Sequence, residues 1–264
     1  MKRHKSTFLI CIIIFINCSA SSSQTSASNP MGKTWVVFIE NSNYHTFASL
    51  EGPTQDVALM TSALGNYKID RVIHKKDLTK QQMEHFFKVE IRDQLLLNHV
   101  NSVIFWYAGH GKLINETGYW VPVDARRDDE STYFNINILK ESLESYANKL
   151  THILVISDAC ESGPTFYQAM RTLTPDRSCS DIKATLSKSS QVFSSAGYDL
   201  ALDGSQFTRT FANTLKNNKA SCIPIESVVK NVTIALEHNN QNKPKFGKIQ
   251  GLKDDDGTFF FISK

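Results

Sequence analysis

Two stretches decide how this chain is read: SVIFWYAGHG at residues 102–111 and HILVISDACESG at residues 152–163. Each begins as a nearly unbroken apolar run and ends in small and chemically reactive residues. A strand that is apolar on both faces belongs in the centre of a parallel sheet, where helices cover it above and below. Outward from these two, further short β-branched or aromatic runs occur at 34–39, 71–74, 191–195 and 258–262. Between the runs, residues 54–66, 79–97, 136–146, 207–217 and 226–239 carry apolar side chains at helical spacing. Strands alternating with helices predict one α/β domain, a mostly parallel six-stranded sheet with helices on both faces. No internal repeat or second linker interrupts it. Residues 163–190 read as a long, mostly polar connection with Pro164, Pro175 and the basic residues Arg171, Arg177, Lys183 and Lys188, and connections of that length are usually functional or cleavable.

In an open α/β sheet a ligand lies beyond the carboxyl ends of the strands. The first central run is followed by Ala108, Gly109, His110 and Gly111, and the second by Ser157, Asp158, Ala159, Cys160, Glu161, Ser162 and Gly163. Taken singly, a cysteine after a buried strand is most often a small core residue, and a histidine between glycines a turn residue. Together at equivalent strand ends, His110 and Cys160 make a thiol nucleophile with its acid–base partner. The small residues around each let a substrate backbone approach.

Composition narrows the alternatives. The 264 residues are 41% hydrophobic and 21% charged with a formal net charge of +3, an ordinary globular profile. Lys2, Arg3 and Lys5 supply that whole excess, because without them the basic residues equal the 26 acidic ones. A neutral body excludes a nucleic-acid binder that relies on a broad basic face.

The amino terminus has the pattern of an export leader, basic residues followed by an uncharged apolar run over 6–16. A run of about 11 residues falls short of the roughly 20 that a membrane-spanning helix needs. Two cut sites compete. Cys18, followed by Ser19 and a Ser-rich stretch, resembles a bacterial lipoprotein site with an acylated cysteine, although Asn17 stands where a small residue is usual; the other reading is cleavage after Ala20. The expected organisation is a leader over 1–20, a flexible tether over 21–32 and one catalytic domain over 33–264, exported to a bacterial periplasm or outer membrane, or secreted. Cys160, Cys179 and Cys222 then lie in the folded part, too few for a disulfide framework. Cys179 and Cys222 can bridge in an oxidising compartment or remain two thiols. No Cys-x-x-Cys occurs, which speaks against a thiol redox protein.

FWYAGHG at 105–111 and ISDACESG at 156–163 resemble the two catalytic motifs of the caspase-like cysteine peptidases, and the metacaspase and bacterial caspase-like branch more than animal caspases. The interval of 50 residues between His110 and Cys160 matches the roughly 50 that caspases show. VVFIENSNY at 36–44, LEGPTQDVALM at 50–60, GYWVPVDA at 118–125, QVFSSAGYDLALDG at 191–204 and the terminal DGTFFFI extend the likeness over about 34–262. The resemblance implies the caspase-like sandwich and a cysteine endopeptidase acting on protein or peptide substrates without a cofactor or metal. It further implies that Cys160 attacks the scissile carbonyl, that His110 protonates the leaving amine, and that the backbone N–H groups of Gly111 and Cys160 receive the oxyanion. A backbone carbonyl, not a third carboxylate, would orient His110.

The sequence also departs from the family pattern. Glu161 replaces the histidine that commonly follows the nucleophile in metacaspases, and Asp158 replaces the glutamine two residues before it in animal caspases. The acidic pair of calcium-dependent metacaspases is missing from Asn135, Ile136 and Asn137, which implies little dependence on calcium. The nearby Asp128, Asp129 and Glu130 read as a solvated turn.

Specificity follows from acidic positions. Asp158, two residues before Cys160, falls on the same side of an extended segment. Asp56 and Asp199 match acidic pocket positions of metacaspases that accept basic residues, so Arg or Lys is expected before the scissile bond. Asp56 can instead be a first-turn helix residue favoured by the dipole, and Asp199 a plain loop carboxylate with Asp203 as its rival. A reading from another class is a catalytically idle caspase-like module that binds partners, tethered to a membrane through a lipid on Cys18.

Overall fold

The computed structural model describes residues 29–159, 166–170, 177–178, 180–195, 206–238 and 244–264. In chain order its strands are β1 (Thr34–Glu40), β2 (Arg71–Lys76), β3 (Ser102–Ala108), β4 (Gly111–Ile114), β5 (Thr117–Trp120), β6 (Phe134–Asn135), β7 (His152–Asp158), β8 (Tyr167–Met170), β9 (Ser189–Ser194), β10 (Cys222–Pro224), β11 (Lys245–Ile249) and β12 (Phe260–Ile262). Its α-helices are α1 (Gly52–Leu64), α2 (Lys80–His85), α3 (Ile91–Leu97), α4 (Ile136–Ala147), α5 (Ile182–Leu186), α6 (Gln206–Asn217) and α7 (Ile225–His238).

The central sheet runs β2-β1-β3-β7-β9-β11-β8. Its first five members are mutually parallel, and β11 is antiparallel to both its neighbours. The expected mostly parallel sheet is therefore present, six longer strands with the four-residue β8 added at the edge. Its sixth member is not the predicted one. Residues 258–262 leave the sheet, and β12 pairs with β10 in a separate ribbon, while β11 takes the place in the sheet. The sequence KFGKI of β11 mixes two lysines and a glycine with its apolar residues, which hid a strand that has a neighbour on each side. The polar connection over 163–190 likewise contains β8 and α5.

Side chains alternate across the strands, and the alternation sorts the core into two layers. Val36, Phe38, Ile104, Trp106, Leu154, Ile156 and Phe193 face α1, α6 and α7. Trp35, Val37, Ile39, Val103, Phe105, Ile153 and Val155 face α2, α3 and α4. The predicted helix over 79–97 forms as α2 and α3 joined by a π-helical turn at Phe86–Glu90. Thr79 starts it with a capping box in which Thr79 and Gln82 exchange side-chain and backbone hydrogen bonds. The wider turn brings the consecutive Phe86 and Phe87 both into the core. At the amino end, Met31 is buried and the Asn29 side chain donates to Gly32 O and Lys68 O, so packed structure starts ahead of β1.

Candidate active site

β3 and β7 lie side by side with Ala108 opposite Asp158, and Gly109 N donates to Asp158 O at 3.3 Å. The two chain segments carrying the predicted dyad therefore leave the sheet at the same edge and level. His110 is described; Cys160, next after the buried Ala159, lies outside the described residues.

The His110 backbone is fixed on both sides. Its N–H donates to Tyr44 Oη at 2.8 Å, and its carbonyl accepts from Val121 N at 2.9 Å and from Tyr107 Oη at 2.8 Å. Burial pushes the Tyr107 hydroxyl well above the usual tyrosine range, so it stays a neutral donor. Gly109 is required here because a Cβ would come within 2.6 Å of Tyr44 Oη and 2.9 Å of Tyr107 Oη. The imidazole packs 4.6 Å from the Tyr44 ring and 5.8 Å from the Phe47 ring. Its Nε2 lies 2.8 Å from Ala48 O. A carbonyl oxygen only accepts, so Nε2 carries a hydrogen and proton exchange falls to Nδ1.

The segment holding Ala48 is itself pinned. Leu50 N donates to Ser42 O at 3.0 Å and His45 N to Val123 O at 2.9 Å, while Thr46 Oγ1 donates to Ala125 O at 2.5 Å. With Asn41 Nδ2 donating to Val121 O at 3.1 Å, residues 41–46 are thus bonded to the GYWVPVDA stretch beside His110. β5 contributes Trp120, stacked 4.3 Å from Tyr107 and donating from Nε1 to Ser157 Oγ at 2.9 Å, which ties the hairpin to β3 and β7.

Gly111 begins that hairpin opposite Trp120. Its turn residues Asn115 and Glu116 have φ of 48° and 62°, the two positive values of a tight two-residue hairpin. Because Val121 N bonds His110 O, the ladder's bonded pairs alternate from 110 with 121, and the Gly111 N–H points away from β5.

Of the acidic residues, Asp158 is 8% exposed and its Oδ2 accepts from Thr208 Oγ1 of α6 at 2.6 Å. Alternation after Leu154 and Ile156 puts it on the α1/α6 face. Asp56 is half-buried on α1, which packs on that same face. The first turn of α1 holds no acidic residue, so the helix-dipole explanation for Asp56 does not apply. Asp199, its rival Asp203 and the proposed acylation residue Cys18 lie outside the described residues.

One acidic residue went unnoticed in the sequence. Glu40, the last residue of β1, sits opposite Ala108 and so is one strand removed from Asp158 on the same face. Its buried carboxylate accepts from Thr54 Oγ1 at 2.5 Å and Ser42 Oγ at 3.1 Å, and pairs with Lys76 at 2.9 Å and His74 at 2.8 Å. Burial alone would raise its pKa, but the hydrogen bonds from Thr54, Lys76 and Ser42 and the Lys76 charge outweigh it and hold the carboxyl below its ordinary value. The signal was there: a single charge ending an apolar strand, at the edge where ligands bind.

Asp129 lies in the solvated turn expected of it, accepting from Ser131 Oγ at 2.5 Å and paired with Arg126. Asn135 caps α4 by accepting from Asn137 N at 2.8 Å. Among the described residues no group of three or more His, Cys, Asp or Glu side chains is placed to hold a metal ion. Cys222 is disulfide-bonded, and the other cysteines all lie outside the described residues.

This arrangement agrees with comparisons to known proteins. Caspase-1 from Spodoptera frugiperda shares the fold, with a TM-score of 0.57 at 12% identity over 82% of this chain and 88% of that one. A comparison with curated proteins finds no match. Residues 33–253 match the caspase domain, a span that includes β1, β3, β7 and both strand ends singled out above. A mostly parallel sheet whose third and fourth members in sheet order end in His110 and the Cys160 segment, matched over that span, makes this chain a member of the caspase-domain family of cysteine peptidases.

Proposed function

We propose that the protein is an active cysteine endopeptidase that cuts after Arg or Lys, with Cys160 as nucleophile and His110 as its acid–base partner. The observation that carries the reading is the bond from His110 Nε2 to Ala48 O, which commits that nitrogen and leaves proton exchange to Nδ1. The Cys160 thiolate attacks the scissile carbonyl, and His110 gives a proton to the leaving amine. An acyl-enzyme forms, and water then hydrolyses it. The outward direction of the Gly111 N–H supports its pairing with Cys160 N–H as donors to the oxyanion. Asp158 and Asp56 on one face of the sheet support a pocket for a basic side chain, since a guanidinium or ammonium pairs with carboxylates.

Residues 1–17 act as an export leader, and Cys18 becomes the acylated amino terminus of a lipoprotein. The Cys222 disulfide supports an oxidising compartment.

The test is hydrolysis of matched peptides with Arg, Lys or Asp before the scissile bond, with Cys160→Ala and His110→Ala as controls. Cleavage after Arg and Lys that both substitutions abolish is expected, because the two act as a unit. Activity surviving in either variant defeats the dyad, and efficient cleavage after Asp defeats the pocket. An intact-mass spectrum of the exported protein checks Cys18, since an unmodified start at Ser21 would mean plain secretion.

A further inference from the structure

Ser195 follows β9, and its N–H donates to Ser157 O at 3.0 Å, so the ladder between β7 and β9 continues past its last pair, Ser157 with Ser194. That step places Ser195 beside Asp158. Phe193, two residues earlier, faces α6 in the core, and the alternation carries Ser195 to the same face as Asp158. Ser195 is 5% exposed, yet its Oγ has no hydrogen-bond partner. The neighbouring carboxylate takes its hydrogen from Thr208 instead.

A buried hydroxyl without a partner is uncommon and costly, and it calls for a reason. Here the location supplies one. The hydroxyl stands next to a buried carboxylate at the carboxyl edge of the sheet, in the pocket argued above to take a basic side chain. A guanidinium carries five N–H donors spread in a plane, enough to reach a carboxylate with one edge and a second acceptor with another, whereas an ammonium is a single compact point of charge.

We propose that Ser195 Oγ accepts an N–H from the arginine that precedes the scissile bond, and that it biases the site toward Arg over Lys. This rests on the reading that the protein cuts after basic residues.

The experiment measures kcat/KM on two peptides identical except for Arg or Lys before the scissile bond, for the full chain and for Ser195→Ala and Ser195→Thr. The full chain should favour Arg. Ser195→Ala should lower the Arg-to-Lys ratio by roughly tenfold, the size expected for losing a hydrogen bond to a charged group. Its Tm should be unchanged or raised, since the hydroxyl has no partner in the unliganded protein to lose. Ser195→Thr, which keeps a hydroxyl, should retain the preference. Inhibition by agmatine against cadaverine, a guanidinium and an ammonium on similar stems, gives the same comparison without turnover and should shift in parallel. An unchanged ratio and unchanged inhibition in Ser195→Ala overturn the proposal while leaving the specificity for basic residues standing. A full chain that cuts peptides but neither of these two removes that specificity and the proposal with it.

Discussion

Tyr44 holds His110 at two points, its hydroxyl accepting the backbone N–H at 2.8 Å and its ring lying 4.6 Å from the imidazole. The two contacts separate in mutants. Tyr44→Phe keeps the ring and leaves the His110 N–H without its acceptor, so kcat should fall by about tenfold with KM nearly constant, consistent with a lost hydrogen bond of ordinary strength. Tyr44→Ala loses both and should fall further. A KM effect with kcat intact would show that Tyr44 acts on substrate rather than by positioning His110.

Thr208 lies on α6, and its hydroxyl donates to the buried Asp158 carboxylate. Thr208→Val is close in shape but donates nothing, leaving the buried carboxylate one bond short. The expected outcome is a loss of about 1–3 kcal/mol in stability and weaker cleavage after Arg and Lys. Asp158→Ala and Asp56→Ala should each impair cleavage after basic residues. If Asp158→Ala cuts these substrates as well as the parent, Asp158 serves the fold alone.

Glu40 links the segment that follows β1 to α1 and to the sheet edge through Ser42, Thr54, His74 and Lys76. Glu40→Ala removes four interactions, but Lys76 and His74 are nearly half exposed and can turn to water, so about 1–2 kcal/mol of stability should go with it. Because Ser42 bonds Leu50 across the segment that carries Ala48, kcat should drop as well. Chemical denaturation reads the first effect and steady-state kinetics the second, and a fully stable Glu40→Ala protein would show the cluster to be incidental.

His152, at the far end of β7, predicts how the fold responds to acid. Burial, aided by the nearby Lys188 charge and opposed by the bond to Thr185 O, lowers its pKa from 6.5 to about 4. The neutral ring is fully bonded, with Nε2 donating to Thr185 O and Nδ1 accepting from Ser189 Oγ, each at 2.8 Å. Between pH 6.5 and 4 the unfolded chain therefore binds a proton that the folded chain refuses. Stability is full above about pH 6.5 and declines as the pH falls toward 4, by about 3 kcal/mol in all. Glu40, with a lowered carboxyl pKa, adds a loss in the same direction, but below the ordinary carboxylate range. His152→Gln should flatten the slope of Tm between pH 6.5 and 5; an unaltered slope would assign it to other groups.

The sequence alone determined the strands that matter most, because β1, β3 and β7 are buried on both faces and leave an unbroken apolar signal. It also singled out His110 as a candidate, since a histidine between glycines beyond such a strand is a local pattern. Only the tertiary structure decided the rest. Glu40 and Asp158 come onto one face through the register of three strands far apart in the chain. Ala48 offers an ordinary carbonyl, and it reaches His110 only because the 41–50 segment is pinned to residues 121–127. β11 took the place in the sheet expected of residues 258–262 because pairing depends on neighbours: Lys245–Ile249 finds β9 on one side and β8 on the other, whereas the more apolar Phe260–Ile262 finds β10. Periodicity reports which faces are buried, but not which surface buries them, and backbone acceptors such as Ala48 O leave no mark in residue type at all.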